Sequence, residues 1–496
     1  CHPRLKPPRG GGGSMASSSK APELYGLDEA GAEFAGDSGK AEGYGAIAKG
    51  QLPPRRRPSL PPLSSGNSVL LTSGIIIADV VGAGILSMGS AVAKFGWLLG
   101  SIFIFALLAM NVHVSLLIWR VRMGCPTAFT YVDLASQAFR SAPEWQRRAI
   151  EGVTLGSQQM FLFLVLALYS LSVGRCLGTL FYDELRVCLP VLVLIGLVGF
   201  MPVHLSSRSL GEYKSLIALN VLTIMGSCFI PLVHMAFSGV EQTRAPDAAM
   251  KAFADLTVAG TLSGLEVMSF AFTSQFMLVE IIAEMRDPAE FPNAYMISAP
   301  FQGIMFVIAG VGAYYFMGSA VNGIIGENLP FGPTFRAAAF CLLVHMLITF
   351  LIKGVVFCRW IQQVWNPSGL NDTSWKGWSG WSVSVVTCTA LCWLFAQVVP
   401  FFTDFMDLLG ASLTPLACYI IPIVLYCRWH YDNRDKTDRS IGPIEGTCLV
   451  LEVLLSLILM IFGTYFSLKT IVGKWKTYGM PFECHCQNIW ATCECS

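Results

Sequence analysis

The stretch "IIIADVVGAGILSMG", Ile75 to Gly89, lies inside an otherwise apolar run and carries a carboxylate at Asp79 and two glycines, Gly82 and Gly84, that flank one alanine. The run around it is long enough to cross a bilayer, because a hydrocarbon core about 30 Å thick takes roughly 20 helical residues. Glycine weakens a helix by about 1 kcal/mol relative to alanine. In lipid an unpaired backbone group costs several kcal/mol, so a broken helix survives only where it lines a cavity or is buried in protein. Small residues also let membrane helices approach closely, but packing glycines usually recur four apart, whereas a spacing of two puts them about 200° apart on the helix. A local unwinding is the expectation, with helix packing as the other reading. Such a break exposes N–H groups from Gly84 onward and carbonyls from Asp79 to Val81, a geometry that takes an anionic group at one end and a cation at the other.

The chain has 496 residues, 54% of them hydrophobic and 13% charged, with a mean hydropathy of +0.57. That is the composition of an all-α polytopic membrane protein. A net charge of +1 gives no footing for a nucleic-acid partner. Windows of spanning length predict eleven helices, near 69–92, 97–119, 150–174, 187–203, 214–237, 260–283, 294–318, 335–358, 380–400, 403–427 and 446–468. Residues 1–66 read as a disordered cytoplasmic arm, rich in Gly, Ser, Ala and Pro with "PPRRRP" at Pro53 to Pro58, and residues 1–14, which precede Met15, are set aside as either an added segment or an upstream reading. Residues 67–468 form the membrane domain and 469–496 a Cys-rich tail. The first apolar run is too long for the core of a cleavable leader. Loops on the side of the arm, with Arg120, Arg122, Arg140, Arg147 and Arg148 in the first of them, carry more Lys and Arg than the opposite loops, which predicts a cytoplasmic N-terminus and an outer or lumenal C-terminus. In the first inner loop, Tyr131, Leu134, Ala135, Ala138 and Phe139 share one helical face, which predicts a short helix at the membrane surface.

A second break is expected in the sixth span, "SGLEVMSFAFTSQFMLVEIIAEMRDP" from Ser263 to Pro288, where Ser269, Thr273, Ser274 and Gln275 cluster at mid-span. Hydroxyls bonding back to their own helix are the plainer reading of that cluster. At this point the residues carry a resemblance. "VGAGILS", "AKFGW" at Ala93 to Trp97, "YVDLASQAF" in the first inner loop, "FAFTSQFMLVEIIAEMRDP" and "PFFTDFMDLLGASLTPLACYIIPIVLY" together resemble the amino acid/auxin permease family, over residues 67 to 468. The resemblance implies a LeuT-like fold: five plus five helices as inverted repeats, helices 1 and 6 broken, and an eleventh helix. It also implies secondary active transport of amino acids, as a symport with H⁺ or Na⁺, by a multi-pass protein of the plasma membrane or a vacuolar or endolysosomal membrane. By the same match Val81, Gly82, Ala83, Gly84 and Ile85 would hold the substrate carboxylate, and carbonyls of Phe270, Ala271, Phe272 and Thr273 its amino group. Two departures touch the pocket: Gly89 stands where the family commonly has a proline motif, and "TSQ" replaces a frequent glycine after "FAF".

Charged side chains in mid-bilayer are costly and mark function or pairing. Asp79, beside the first break, is the candidate for ion or proton coupling, with a structural hydrogen bond as the other reading, and His345 and Thr349 lie one turn apart on the eighth span. For His345, as for His113 in the second span, a satisfied polar contact is the plainer reading. Glu266 and Glu280 flank the polar cluster, and Glu280, in the family motif, is read as structural in the broken helix. Lys353 is expected to snorkel to an inner membrane face. The tail "CHCQNIWATCECS" offers disulfides among Cys484, Cys486, Cys493 and Cys495 if lumenal, and metal binding or palmitoylation if cytoplasmic; Cys176 and Cys188 are a second potential pair. The one permitted sequon, Asn371, falls in a predicted inner loop and should carry no glycan. No Walker A, HExxH or G-x-S-x-G stretch is present, so the chain is not read as an enzyme and needs no cofactor beyond the coupling ion. The rival to a carrier is an amino-acid sensor that binds without significant flux. Gly84→Leu is expected to abolish binding with limited effect on folding.

Overall fold

The computed structural model describes residues 66–182, 184, 187–208, 214–369, 372–434, 441–478 and 481–482. The arm, the sequon asparagine Asn371 and the tail cysteines Cys484, Cys486, Cys493 and Cys495 lie outside the described residues. The chain divides into units 1–61 and 62–496, the first wholly outside that set.

Residues 66 onward build an all-α membrane bundle. Its first span is broken into α1 (Val69–Val80), α2 (Ala83–Leu86) and α3 (Met88–Ala93). There follow α4 (Trp97–Gly124), the short α5 (Tyr131–Ala138), α6 (Glu144–Leu180), α7 (Leu189–Ser206) and α8 (Lys214–Ser238). The sixth span is again in two pieces, α9 (Val258–Ala271) and α10 (Gln275–Ala283). Then come α11 (Phe291–Met317), α12 (Pro333–Trp365) and α13 (Trp375–Val398). In the tenth span a π-helical segment, Pro415–Ile420, joins α14 (Phe402–Thr414) to α15 (Ile421–Asn433). In the eleventh, α16 (Pro443–Ile458) passes through π-helical Leu459–Gly463 into α17 (Thr464–Tyr478). Among the described residues ten helices are long and apolar enough to cross a membrane, and the broken first span makes the eleventh. The breaks fall in spans one and six, five apart, as two repeats of five helices require.

Local chemistry sets several boundaries. The Ser68 side chain caps α1 by accepting from Leu71 N, and Thr257 caps α9 by accepting from Gly260 N. Thr130 and Asp133 form a capping box at α5. The buried face of α5, with Tyr131, Leu134, Ala135 and Ala138, packs on α6, α10 and α15. The expected surface helix is therefore a wedge against the bundle: an amphipathic stripe shows that one face is covered, not whether lipid or protein covers it. The long α6 and α12 form a scaffold with α7, α8 and α13, while α9 and α14 pack together beside the broken first span. The face of the bundle where α1 begins is termed near below, and the opposite one far.

Candidate functional site

Both breaks open on one cavity. At the first, α1 ends at Val80, Val81 leaves the helix at φ −80°, ψ 67°, and α2 starts after Gly82. The Gly82 N–H turns back to the Val80 carbonyl at 2.8 Å. The first amides of α2, at Ala83 and Gly84, belong to the set that a helix N-terminus leaves without intrahelical acceptors. At the second break α9 ends at Ala271, the Thr273 N–H bonds the Phe270 carbonyl at 3.0 Å, and α10 begins after Ser274. The cavity, about 320 Å³ including its open side, is lined by Asp79, Val80, Gly82, Ala83 and Gly84 from the first break and by Phe270, Ala271, Thr273 and Phe276 from the second. Phe161, Val165 and Tyr169 of α6 and Lys353 of α12 complete it. The Phe161 ring lies 4.6 Å from Phe276 and 6.3 Å from Phe270, an aromatic wall opposite the polar break.

Two expectations do not hold, those for Lys353 and for Gly84. Lys353 does not snorkel: its ammonium is buried and ion-paired with Asp79 Oδ1, with the Tyr169 hydroxyl as a further partner. A lysine far from the interface can keep its charge only beside a counter-ion, and the fold supplies one across 274 residues of sequence. The Thr349 hydroxyl shares its proton between the His345 carbonyl at 2.7 Å and Asn220 Oδ1 at 3.2 Å, and no hydrogen bond joins it to Asp79. Gly84 is a packing glycine as well as a cavity residue. A Cβ there would fall 2.4 Å from Ala271 Cα, so the expected mild effect of Gly84→Leu on folding does not hold. Val81 and Ile85 are buried but do not line the cavity, and neither does Phe272, whose ring packs against Phe306 at 4.8 Å.

His345 donates from Nδ1 to the Asn220 carbonyl at 3.1 Å, which leaves Nε2 as an unpartnered buried acceptor, 3.7 Å from where a Gly82 side chain would start. Glu280 Oε1 accepts from the Tyr131 N–H and from Gln158 Nε2, both at 3.1 Å, tying α10 to α5 and α6. His113 lies against Glu452 at 2.7 Å, away from the cavity. Cys176 is a free buried thiol while Cys188 is disulfide-bonded, so the two do not pair. Tyr169 and Asn220 carried no signal in the sequence beyond being polar residues within spans, and Lys353 stood out there only as a cation near a span end. On the near face a parallel bridge joins the start of α1 to the end of α10: Asn67 N donates to the Glu284 carbonyl at 2.8 Å and Arg286 N to the Asn67 carbonyl at 3.0 Å. On the far face Arg175 and Glu327 pair at 2.6 Å between α6 and the loop before α12.

Two discontinuous helices around one cavity, with backbone groups exposed at both breaks, define a LeuT-like membrane fold. A family profile described as transmembrane amino acid transporter protein matches residues 65–469, and the chain belongs to that family. Amino acid transporter AVT3B of Arabidopsis thaliana is 26% identical over 84% of this chain and 98% of its own length. Amino acid transporter ANT1 of the same plant is 24% identical over 82% and 93%, and the N amino acid transport system protein of Neurospora crassa 19% over 83% and 86%. Among solved structures, MhsT in complex with L-phenylalanine is similar with a TM-score of 0.53 over 81% of this chain and 99% of that one, at 14% identity.

Proposed function

We propose that the chain carries amino acids across its membrane by alternating access about the two breaks, and that the coupling ion is the proton. The substrate carboxylate is received by the amides of Ala83 and Gly84, where the α2 N-terminus also favours negative charge. Its ammonium faces the carbonyl end of α9 near Phe270, and its side chain the wall of Phe161, Phe270 and Phe276. The observation that favours protons over Na⁺ is the Asp79–Lys353 pair. A tethered ammonium already occupies the place beside Asp79 that a hard cation would need, and Thr349, the other oxygen donor expected there, is turned to Asn220. The near face, by the bias of Lys and Arg, is cytoplasmic.

Uptake by the purified full-length protein in sealed liposomes tests this. An imposed pH gradient should drive accumulation of neutral amino acids, an equal Na⁺ gradient should not, and Asp79→Asn/Lys353→Met should bind substrate without accumulating it. Specific binding with no accumulation under either gradient would identify a sensor instead, and accumulation driven by Na⁺ alone would reject the proton.

A further inference from the structure

Far from the Asp79–Lys353 pair, two more carboxyl groups are buried in the far half of the bundle without a counter-ion. Glu266, on α9, is 1% exposed and Asp407, on α14, is 8% exposed. Glu266 Oε2 accepts from the Ser467 hydroxyl at 2.9 Å, and Asp407 Oδ2 from the Ser263 hydroxyl at 2.8 Å. Their other oxygens, Glu266 Oε1 and Asp407 Oδ1, are buried and have no partner. An ionised carboxylate offers about four acceptor sites, so each group is solvated far below what a buried charge requires. The charged groups on the elements around them are few. Asp404 on α14 is already paired with Lys474 of α17 at 2.5 Å, and among the described residues no ion pair reaches Glu266 or Asp407. The recess that holds Glu266 is shaped for it. A side chain at Gly463 would start 2.4 Å from Glu266 Oε1, and one at Gly410 would start 2.1 Å from the Glu266 carbonyl oxygen. Gly463 closes the π-helical turn of the eleventh span, a kind of local widening that recurs at functional sites. Three helices thus build a socket for a carboxyl group, and, among the described residues, the one lysine near it, Lys474, is held by Asp404 and pairs directly with neither Glu266 nor Asp407.

We infer that Glu266 and Asp407 form a proton-binding site on the far side of the transporter, sharing one dissociable proton whose loss drives α9 away from α14. Asp407 of α14 is held by Ser263, one turn before Glu266 on α9, so both carboxyl groups sit on the same buried seam and cannot both ionise without repulsion. With the proton bound, α9 stays packed on α14 and on the π turn. With the proton released, repulsion between the two opens that seam. Phe270, one helical turn beyond Glu266 on α9, forms part of the wall of the substrate cavity, so movement of the seam moves that wall. Protonation from the far solution, next to the Asp404–Lys474 pair whose lysine is partly exposed, closes the cavity over its substrate. The inference rests on the proton-coupled reading above and assigns it a second group, distinct from Asp79.

The test uses full-length protein with Glu266→Gln and Asp407→Asn, near-isosteric changes that keep a hydrogen-bonding group but cannot release the proton. The wild type should show an initial uptake rate that depends on far-side pH and an amino-acid-evoked proton flux into dye-loaded liposomes. Each variant should lose the flux at least fivefold and flatten the pH profile, while substrate Kd in detergent stays within threefold of wild type. Infrared difference spectra on a pH step give a second readout, independent of transport: the neutral-carboxyl C=O band seen in wild type should vanish in Glu266→Gln/Asp407→Asn. Wild-type pH dependence, proton flux and carboxyl band in the variants would overturn the inference, even if Asp79→Asn abolishes coupling. Loss of the carboxyl band in the variants, alongside a wild type that accumulates nothing, would retain the proton site and reject the carrier.

Discussion

At the residue scale the decisive contact is Asp79 with Lys353. Removing one partner of a buried pair leaves an uncompensated charge and costs about 3–5 kcal/mol, whereas replacing both by uncharged groups costs far less. Asp79→Asn alone should therefore lower the thermal midpoint of the detergent-solubilised protein markedly, and Asp79→Asn/Lys353→Met should recover most of it. Equal losses in both would mean that the ammonium finds another counter-ion. The two glycines of the first break should separate in the same assay. Gly84→Ala forces a methyl group into the α9 backbone at Ala271 and should cost about 1–3 kcal/mol by overpacking. Gly82→Ala meets nothing nearer than 3.4 Å, so the fold should tolerate it while KM for the amino acid rises as the break narrows beside His345. The glycine spacing pointed to the break, but which glycine packs and which lines depends on where Ala271 stands, 187 residues further on.

At the scale of elements, α10 is nine residues long and cannot hold its orientation by its own hydrogen bonds. Glu280 fixes it by accepting from Tyr131 at the start of α5 and from Gln158 of α6, while Gln158 also donates to the Phe276 carbonyl at 2.7 Å. Glu280→Leu strips acceptors from two buried donors, at about 1–3 kcal/mol for a group left unsatisfied. Amide hydrogen exchange should then accelerate in α5 and α10 and stay unchanged in α4; uniform protection across all three would remove Glu280 from this role. The family motif singled out Glu280, but its partners became visible only with α5 folded against α10.

For the whole molecule, alternating access requires the two faces to open in turn, and on the near face the bridge between Asn67 and Met285 joins the start of α1 to the end of α10. Neighbouring strands in such a bridge lie about 4.8 Å apart, within the Cα range of a disulfide. Asn67→Cys/Met285→Cys, in a background with the exposed Cys427 and Cys448 replaced by serine, should crosslink under mild oxidation. Crosslinking should stop net uptake by more than tenfold, leave far-side substrate binding intact, and be reversed by a thiol reductant. Full transport in the crosslinked protein would exclude near-face opening at this seam.

The sequence by itself determined the eleven spans, the position of the first break and the family, because spanning length, apolar runs and helix-weakening residues are local properties that lipid makes stringent. The second break was only a polar cluster in the sequence, since neither glycine nor proline marks Phe272 to Ser274; there the backbone yields because Gln275 caps the Ser274 N–H at 3.1 Å and bonds Asn111 of α4. The role of Lys353, the contact of the Thr349 hydroxyl with Asn220, the packing of Gly84 and the socket around Glu266 were decided by tertiary structure alone. Each depends on a partner more than one hundred residues away, and the free energy of a buried charge is set by what lies within a few ångströms of it, a distance that sequence separation does not report.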